Sequence, residues 1–98
     1  MTAEQFNVNA SDAAWVDAKC TNHPIGCFTE VISLTGDHTK VANRTFILAD
    51  NFKFNAIQNS YERVKDDPAW NVMIMDGGHE LMIDNPDGVA AVLMDLNQ

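Results

Sequence analysis

The sequence predicts an α/β chain: one βαβ unit of two parallel strands, closed by a C-terminal helix. Three observations predict it. Two short unbroken apolar runs, Thr45-Phe46-Ile47-Leu48-Ala49 and Val72-Met73-Ile74-Met75, have the texture of strands covered on both faces. Between them Ile57, Tyr61 and Val64 recur at i, i+4 and i+7, one face of an amphipathic helix. Beyond the second run Val89, Val92, Leu93 and Leu96 form a further apolar stripe. Strand, helix and strand within about 30 residues make a unit whose strands run parallel, with a right-handed crossover.

Each element has local signals at its ends. Asp50-Asn51 closes the first strand, Asn55 is placed to cap the crossover helix, and Pro68 stops it. Asp76-Gly77-Gly78-His79 closes the second strand with glycines suited to a turn that most residues resist. Pro86 reads as a first helical residue, and Asp87 suits the positive end of the terminal helix dipole.

Residues 1–40 differ in texture from 41–98 and by pattern specify little core. They predict a helix from Asp12 to Lys19 capped by Ser11 or Asn9, a strand from Phe28 to Leu34, and a turn at Gly36-Asp37. The methionines Met73, Met75, Met82 and Met94 read as core.

Ninety-eight residues suffice for one small domain of modest stability. Six basic residues against fourteen acidic ones give a formal charge of −8, which opposes binding to phosphate backbones or anionic lipid. Nucleic acid and membrane are therefore not expected partners. The first residues, Met1-Thr2-Ala3-Glu4-Gln5, form neither a basic nor an apolar leader, so a cytoplasmic location is the expectation. Cys20, His23, Cys27 and His38 are residue types that zinc accepts, but no Cys-x2-Cys or His-x3–5-His pair is present. Buried reduced thiols and solvent-facing imidazoles are the favoured reading over a small zinc-binding protein, with no metal and no cofactor expected.

Parallel strands bring Asp50 and His79 to one end of the sheet, where loops in open α/β sheets gather reactive groups. Strands lie about 5 Å apart, so those loops can bring a carboxylate to an imidazole. Such a dyad is two-thirds of a catalytic triad: the carboxylate orients the ring and stabilises the imidazolium formed when the ring accepts a proton from a nucleophile.

The stretch Gly77-Gly78-His79-Glu80-Leu81-Met82-Ile83-Asp84-Asn85-Pro86-Asp87-Gly88-Val89-Ala90 resembles the closing motif of the α/β-hydrolase superfamily, and of its small-molecule esterases in particular. Upstream, Asp12-Ala13-Ala14-Trp15-Val16-Asp17-Ala18-Lys19 with Thr21-Asn22-His23-Pro24 resembles the lid of a bacterial branch distantly related to plant methylesterases and hydroxynitrile lyases. The resemblance implies a lid-like segment over residues 1–40 and the C-terminal βαβα part of a hydrolase domain over 41–98. It implies that His79 is the general base, that Asp50 holds the position of the acid, and that Trp15 lines the substrate pocket. Glu80 stands where the lyases keep a lysine, which favours ester hydrolysis over cyanohydrin cleavage.

The nucleophile elbow Gly-x-Ser-x-Gly is absent from these residues. Ser11, Ser33 and Ser60 all lack the small neighbours such a turn needs, and the oxyanion-hole loop is missing with it. The expectation is a truncated or split hydrolase, inactive alone, that either joins a nucleophile-bearing polypeptide or self-associates through its sheet edge into an oligomer. The alternative is a non-catalytic interaction or binding module derived from the same fold.

Overall fold

The computed structural model describes residues 1–97. Helix α1 spans Ala10–Lys19 and α2 is a single turn, Gly26–Thr29; a 3-10 turn follows at Asp37–Lys40. Strand β1 (Thr45–Ala49), helix α3 (Asn55–Val64) and strand β2 (Asn71–Met75) come next, then the single turn α4 (Leu81–Asp84) and α5 (Pro86–Leu96). The strands pair parallel in one two-stranded sheet, from Thr45 opposite Asn71 to Ala49 opposite Met75. The chain is thus an α/β mix whose regular part is the predicted βαβ unit.

The crossover helix follows its apolar spacing. Ile57, Tyr61 and Val64 are half-buried on one face, and the Tyr61 ring lies 6.4 Å from that of Phe46 on β1. Asn55 is the first helical residue rather than the cap; the extended Phe54 precedes it, and its carbonyl accepts from Ile57 and Gln58. Near the other end the Lys65 ammonium sits 2.7 Å from the Glu62 carboxylate, holding that carboxyl below its ordinary range and raising the lysine. A depressed carboxyl contributes stability above its ordinary pKa and loses it as pH falls through the lowered folded value. The raised lysine contributes below its ordinary pKa and loses that contribution only in strong alkali. Acidification is therefore expected to lower the exchange protection of the Lys65 amide, whose N–H donates to the Tyr61 carbonyl, relative to its intrinsic rate at each pH, without moving the global unfolding midpoint. Glu62→Gln should abolish that pH dependence; an acid response unchanged in this variant would exclude the pair as its source.

Pro86 opens α5 as predicted, and the Asn85 side chain caps it by accepting from the Gly88 N–H at 3.1 Å. Val89 and Val92 are half-buried, but Leu93 and Met94 are 63% and 70% exposed. An open crevice of about 420 Å³ is lined by Val72 and Met73 on β2 and by Val92 and Leu96 on α5. Ile74, in the middle of β2, is 58% exposed. The expectation of strands covered on both faces is therefore not met within this chain: two strands and one crossover helix do not supply a second layer. Of the methionines expected in the core, Met75 is buried, whereas Met82 and Met94 face solvent.

Two readings of residues 1–40 are corrected. No strand forms from Phe28 to Leu34: Phe28 belongs to α2, residues 31–35 have no regular structure, and Val31 is 95% exposed. A β-prone run needs a neighbouring strand to satisfy its amides, and none lies beside it. Conversely, the first nineteen residues do build core, because Ala3, Val8 and Val16 form a buried cluster flanked by Phe6, Ala13 and Ile83. Helix α1 begins at Ala10, with Asn9 at the cap position and no side-chain capping bond from Asn9; Ser11 lies inside the helix. The Cα radius of gyration is 15.4 Å, against about 13 Å for a close-packed domain of this length. Among the described residues no helix is long and apolar enough to cross a membrane.

Candidate functional site

Parallel pairing carries the loops after β1 and β2 off the same end of the sheet, and backbone bonds zip them together. The Asp50 N–H donates to the Met75 carbonyl at 2.9 Å and the Asn51 N–H to the Gly77 carbonyl at 3.0 Å. The Asn51 side-chain amide donates to the Asp76 carboxylate at 2.8 Å. Asp50 and His79 therefore occupy neighbouring loops, as the spacing of the two runs predicts.

Within those loops the two side chains are separately engaged. Among the described residues no hydrogen bond or ion pair joins Asp50 to His79; the Asp50 carboxylate is exposed, 3.8 Å from the Lys53 ammonium. A pair so open to water contributes little stability and leaves the carboxylate free to reorient. The exposed imidazole of His79 forms a three-ring cluster with two phenyls on adjacent sides: Phe6 stacks on it with centroids 5.1 Å apart and planes 20° apart, Phe52 lies 4.6 Å away at 41°, and the two phenyls are 6.5 Å from each other. Phe6, Phe52, Phe54, Ile57 and His79, with Met1, line a pocket of about 140 Å³. Apart from the imidazole, its side chains offer no ionisable group.

Backbone geometry around His79 depends on glycine at two positions. Gly77 has φ +146°, a conformation side chains rarely adopt. At Gly78 the constraint is space: a Cβ would fall 2.1 Å from the Asn7 carbonyl oxygen and 2.7 Å from Asp84 Oδ2. The chain before α1 passes directly over the histidine turn, and the His79 N–H donates to the Phe6 carbonyl at 2.9 Å.

Trp15 is 58% exposed on α1 and borders an open crevice of about 280 Å³ with Phe6, Glu80 and Ile83, on the flank of the histidine loop. Cys20 and Cys27 are free and exposed, which corrects the expectation of buried thiols; both lie where the chain buries almost nothing. The His23 ring packs 4.9 Å from Phe28. Among the described residues no three His, Cys, Asp or Glu side chains gather as a metal site requires.

Sequence reasoning missed Phe6, Phe52 and Asp84. Phe52 follows Asp50 by two residues, and Asp84 falls inside the quoted histidine motif; only a search for residues near the loops, rather than titratable groups in them, would have found Phe52. Phe6 carries no such signal, being 73 positions from the histidine it stacks upon.

In sequence the chain is 30% identical over 91 residues to a carbendazim hydrolyzing esterase of Nocardioides sp. (strain SG-4G). No family model matches the chain, and no solved structure matches it. The alignment covers 93% of this chain and 38% of that protein, so over nearly all its length the chain is similar to part of an esterase.

Proposed function

We propose that this chain is the histidine-bearing portion of a serine ester hydrolase of the α/β-hydrolase fold, with His79 as general base and Asp50 as the acid that orients it. The observation that carries the reading is the parallel register ending at Ala49 opposite Met75, which puts the Asp50 and His79 loops side by side at the carboxyl end of the sheet. Similarity to part of an esterase supports the reaction class. Ester hydrolysis uses an imidazole that takes a proton from a nucleophile and returns it to the leaving alcohol. The substrate is a small-molecule ester, a class to which the relative's action on carbendazim directs attention.

The nucleophile comes from elsewhere. Ser60 lies within α3 with its hydroxyl donating to the Ala56 carbonyl, Ser11 is in α1, and Ser33 is in the irregular segment. None stands at a strand-to-helix turn. The bare Ile74 on β2 and Leu93 and Met94 on α5 are the surface on which a nucleophile-bearing polypeptide, or a second copy pairing at the sheet edge, would settle.

The test is direct. The 98-residue chain by itself is expected not to hydrolyse a p-nitrophenyl ester nor to react with a fluorophosphonate. Mixing or fusing it with a segment that supplies Gly-x-Ser-x-Gly is expected to restore both. Labelling of the lone chain would refute the inactivity. Stable association with such a segment without any hydrolysis would favour an interaction module instead.

A further inference from the structure

The segment that precedes α1 is fastened to the candidate site at four points, and one carboxylate is central to the fastening. Asp84, at the end of α4, accepts the Asn9 N–H on Oδ1 at 2.8 Å and the Gly78 N–H on Oδ2 at 2.7 Å. One side chain thus ties together backbone from positions 75 residues apart on one side and six on the other. Bonds from N–H groups to a carboxylate are short and strong for their kind, and Asp84 is half-buried. Between those anchors Asn7 adopts φ +55°, a left-handed conformation that asparagine tolerates better than most side chains. That conformation accompanies an Asn7 side-chain amide donating to the Asn51 carbonyl, in the Asp50 loop, while the Asn7 carbonyl lies against Gly78. Phe6 accepts the His79 N–H and lays its ring on the imidazole.

From this geometry we infer that residues 6–9 form a strap that sets the position of the imidazole, and that Asp84 is the positioning residue that holds the strap to the histidine turn. Its catalytic consequence rests on the ester-hydrolase reading; the strap itself does not. Asp84 touches no reacting atom. It acts by fixing Gly78, the residue before the imidazole, and by drawing Asn9 in so that the Phe6 ring reaches His79. A base displaced by about 1 Å loses on the order of 10²-fold in rate, so the strap serves as part of the site's frame.

The experiment reads the His79 ring protons by NMR in the 98-residue chain, assigned with His79→Gln and compared with His23 and His38. Clustered with Phe6 and Phe52, the His79 signal is expected to be displaced by ring currents. Asp84→Ala removes both acceptors, and Asp84→Asn retains only one acceptor oxygen. In both variants the His79 signal should move toward that of His38 while the Tyr61 and Trp70 signals stay in place. Asn9→Pro deletes the backbone donor to Oδ1 and the longer 3.4 Å bond from the Asn9 side-chain amide to the Asp84 carbonyl but leaves the Gly78 bond, at a residue whose φ of −49° is close to what proline adopts, and should give a partial movement. An unmoved His79 signal in folded Asp84→Ala overturns the proposal. So does loss of the whole tyrosine and tryptophan pattern in both Asp84→Ala and Asn9→Pro, which would make these contacts general supports of the fold.

In the complemented hydrolase, Asp84→Asn should lower kcat about 10²-fold with KM little changed. Full activity in that variant would sink the positioning role and leave the hydrolase reading standing. A shifted His79 signal in a complex that never hydrolyses esters would do the reverse.

Discussion

His79→Ala, made in the complex of this chain with a nucleophile-bearing segment, is expected to lower kcat for a p-nitrophenyl ester by about 10⁴- to 10⁶-fold and to abolish fluorophosphonate labelling. The size follows from the role. Without the imidazole a serine hydroxyl has nowhere to send its proton, and the alkoxide of the leaving alcohol has no donor. KM should change far less, because the side chain deleted is not the one that binds the ester most strongly. Residual hydrolysis within tenfold of the parent would remove His79 from the mechanism.

The acid is tested in the same assay. Asp50→Asn keeps the shape and removes the charge, and if Asp50 orients the imidazole the loss approaches 10⁴-fold. The carboxylate rests 3.8 Å from Lys53 and is exposed, so turning it toward the imidazole has only a weak ion pair to break. Asp76 is the competing carboxylate in the neighbouring loop, already accepting from the Asn51 side chain. A large loss in Asp76→Asn with full activity in Asp50→Asn would reassign the acid to the β2 loop.

Gly78→Ala is expected to cost about 3 kcal/mol or more, enough to lower the melting temperature of a chain this size by more than about 10 °C. Its Cβ would meet the Asn7 carbonyl at 2.1 Å and Asp84 Oδ2 at 2.7 Å, and backbone at that distance has no rotamer into which to retreat. Relief requires lifting residues 6–9 off the turn, which breaks the His79-to-Phe6 and Asn9-to-Asp84 bonds together. Small domains have only about 5–15 kcal/mol in total, so the loss is a substantial share. Thermal or urea unfolding of the variant beside the parent measures it. A melting temperature within 2 or 3 °C of the parent would mean that the strap is not packed against Gly78 in solution.

The regular half of the molecule was legible in the residues alone. Apolar runs at 45–49 and 72–75, the 57, 61 and 64 spacing and the Asn-Pro start at 85–86 are short-range signals. Period and caps act over a few residues, and α5 starts where its proline does. Parallel pairing follows from the length of the crossover, and it was enough to put the Asp50 and His79 loops at one end of the sheet. Side-chain covering was not legible. Whether Ile74 or Leu93 is buried depends on what lies opposite, and a periodic stripe is the same whether or not a second layer covers it.

What only tertiary structure decided is the identity of the imidazole's neighbours. Phe6 reaches His79 across 73 positions and Asn9 reaches Asp84 across 75, joined by hydrogen bonds and ring stacking that leave no periodicity in the chain. The stretch from Phe28 to Leu34 reads as a strand and found no partner to complete its ladder, while the less patterned start of the chain found one in the histidine turn. Local residue types choose the elements; satisfaction of backbone amides by distant groups chooses which of them become the walls of the site.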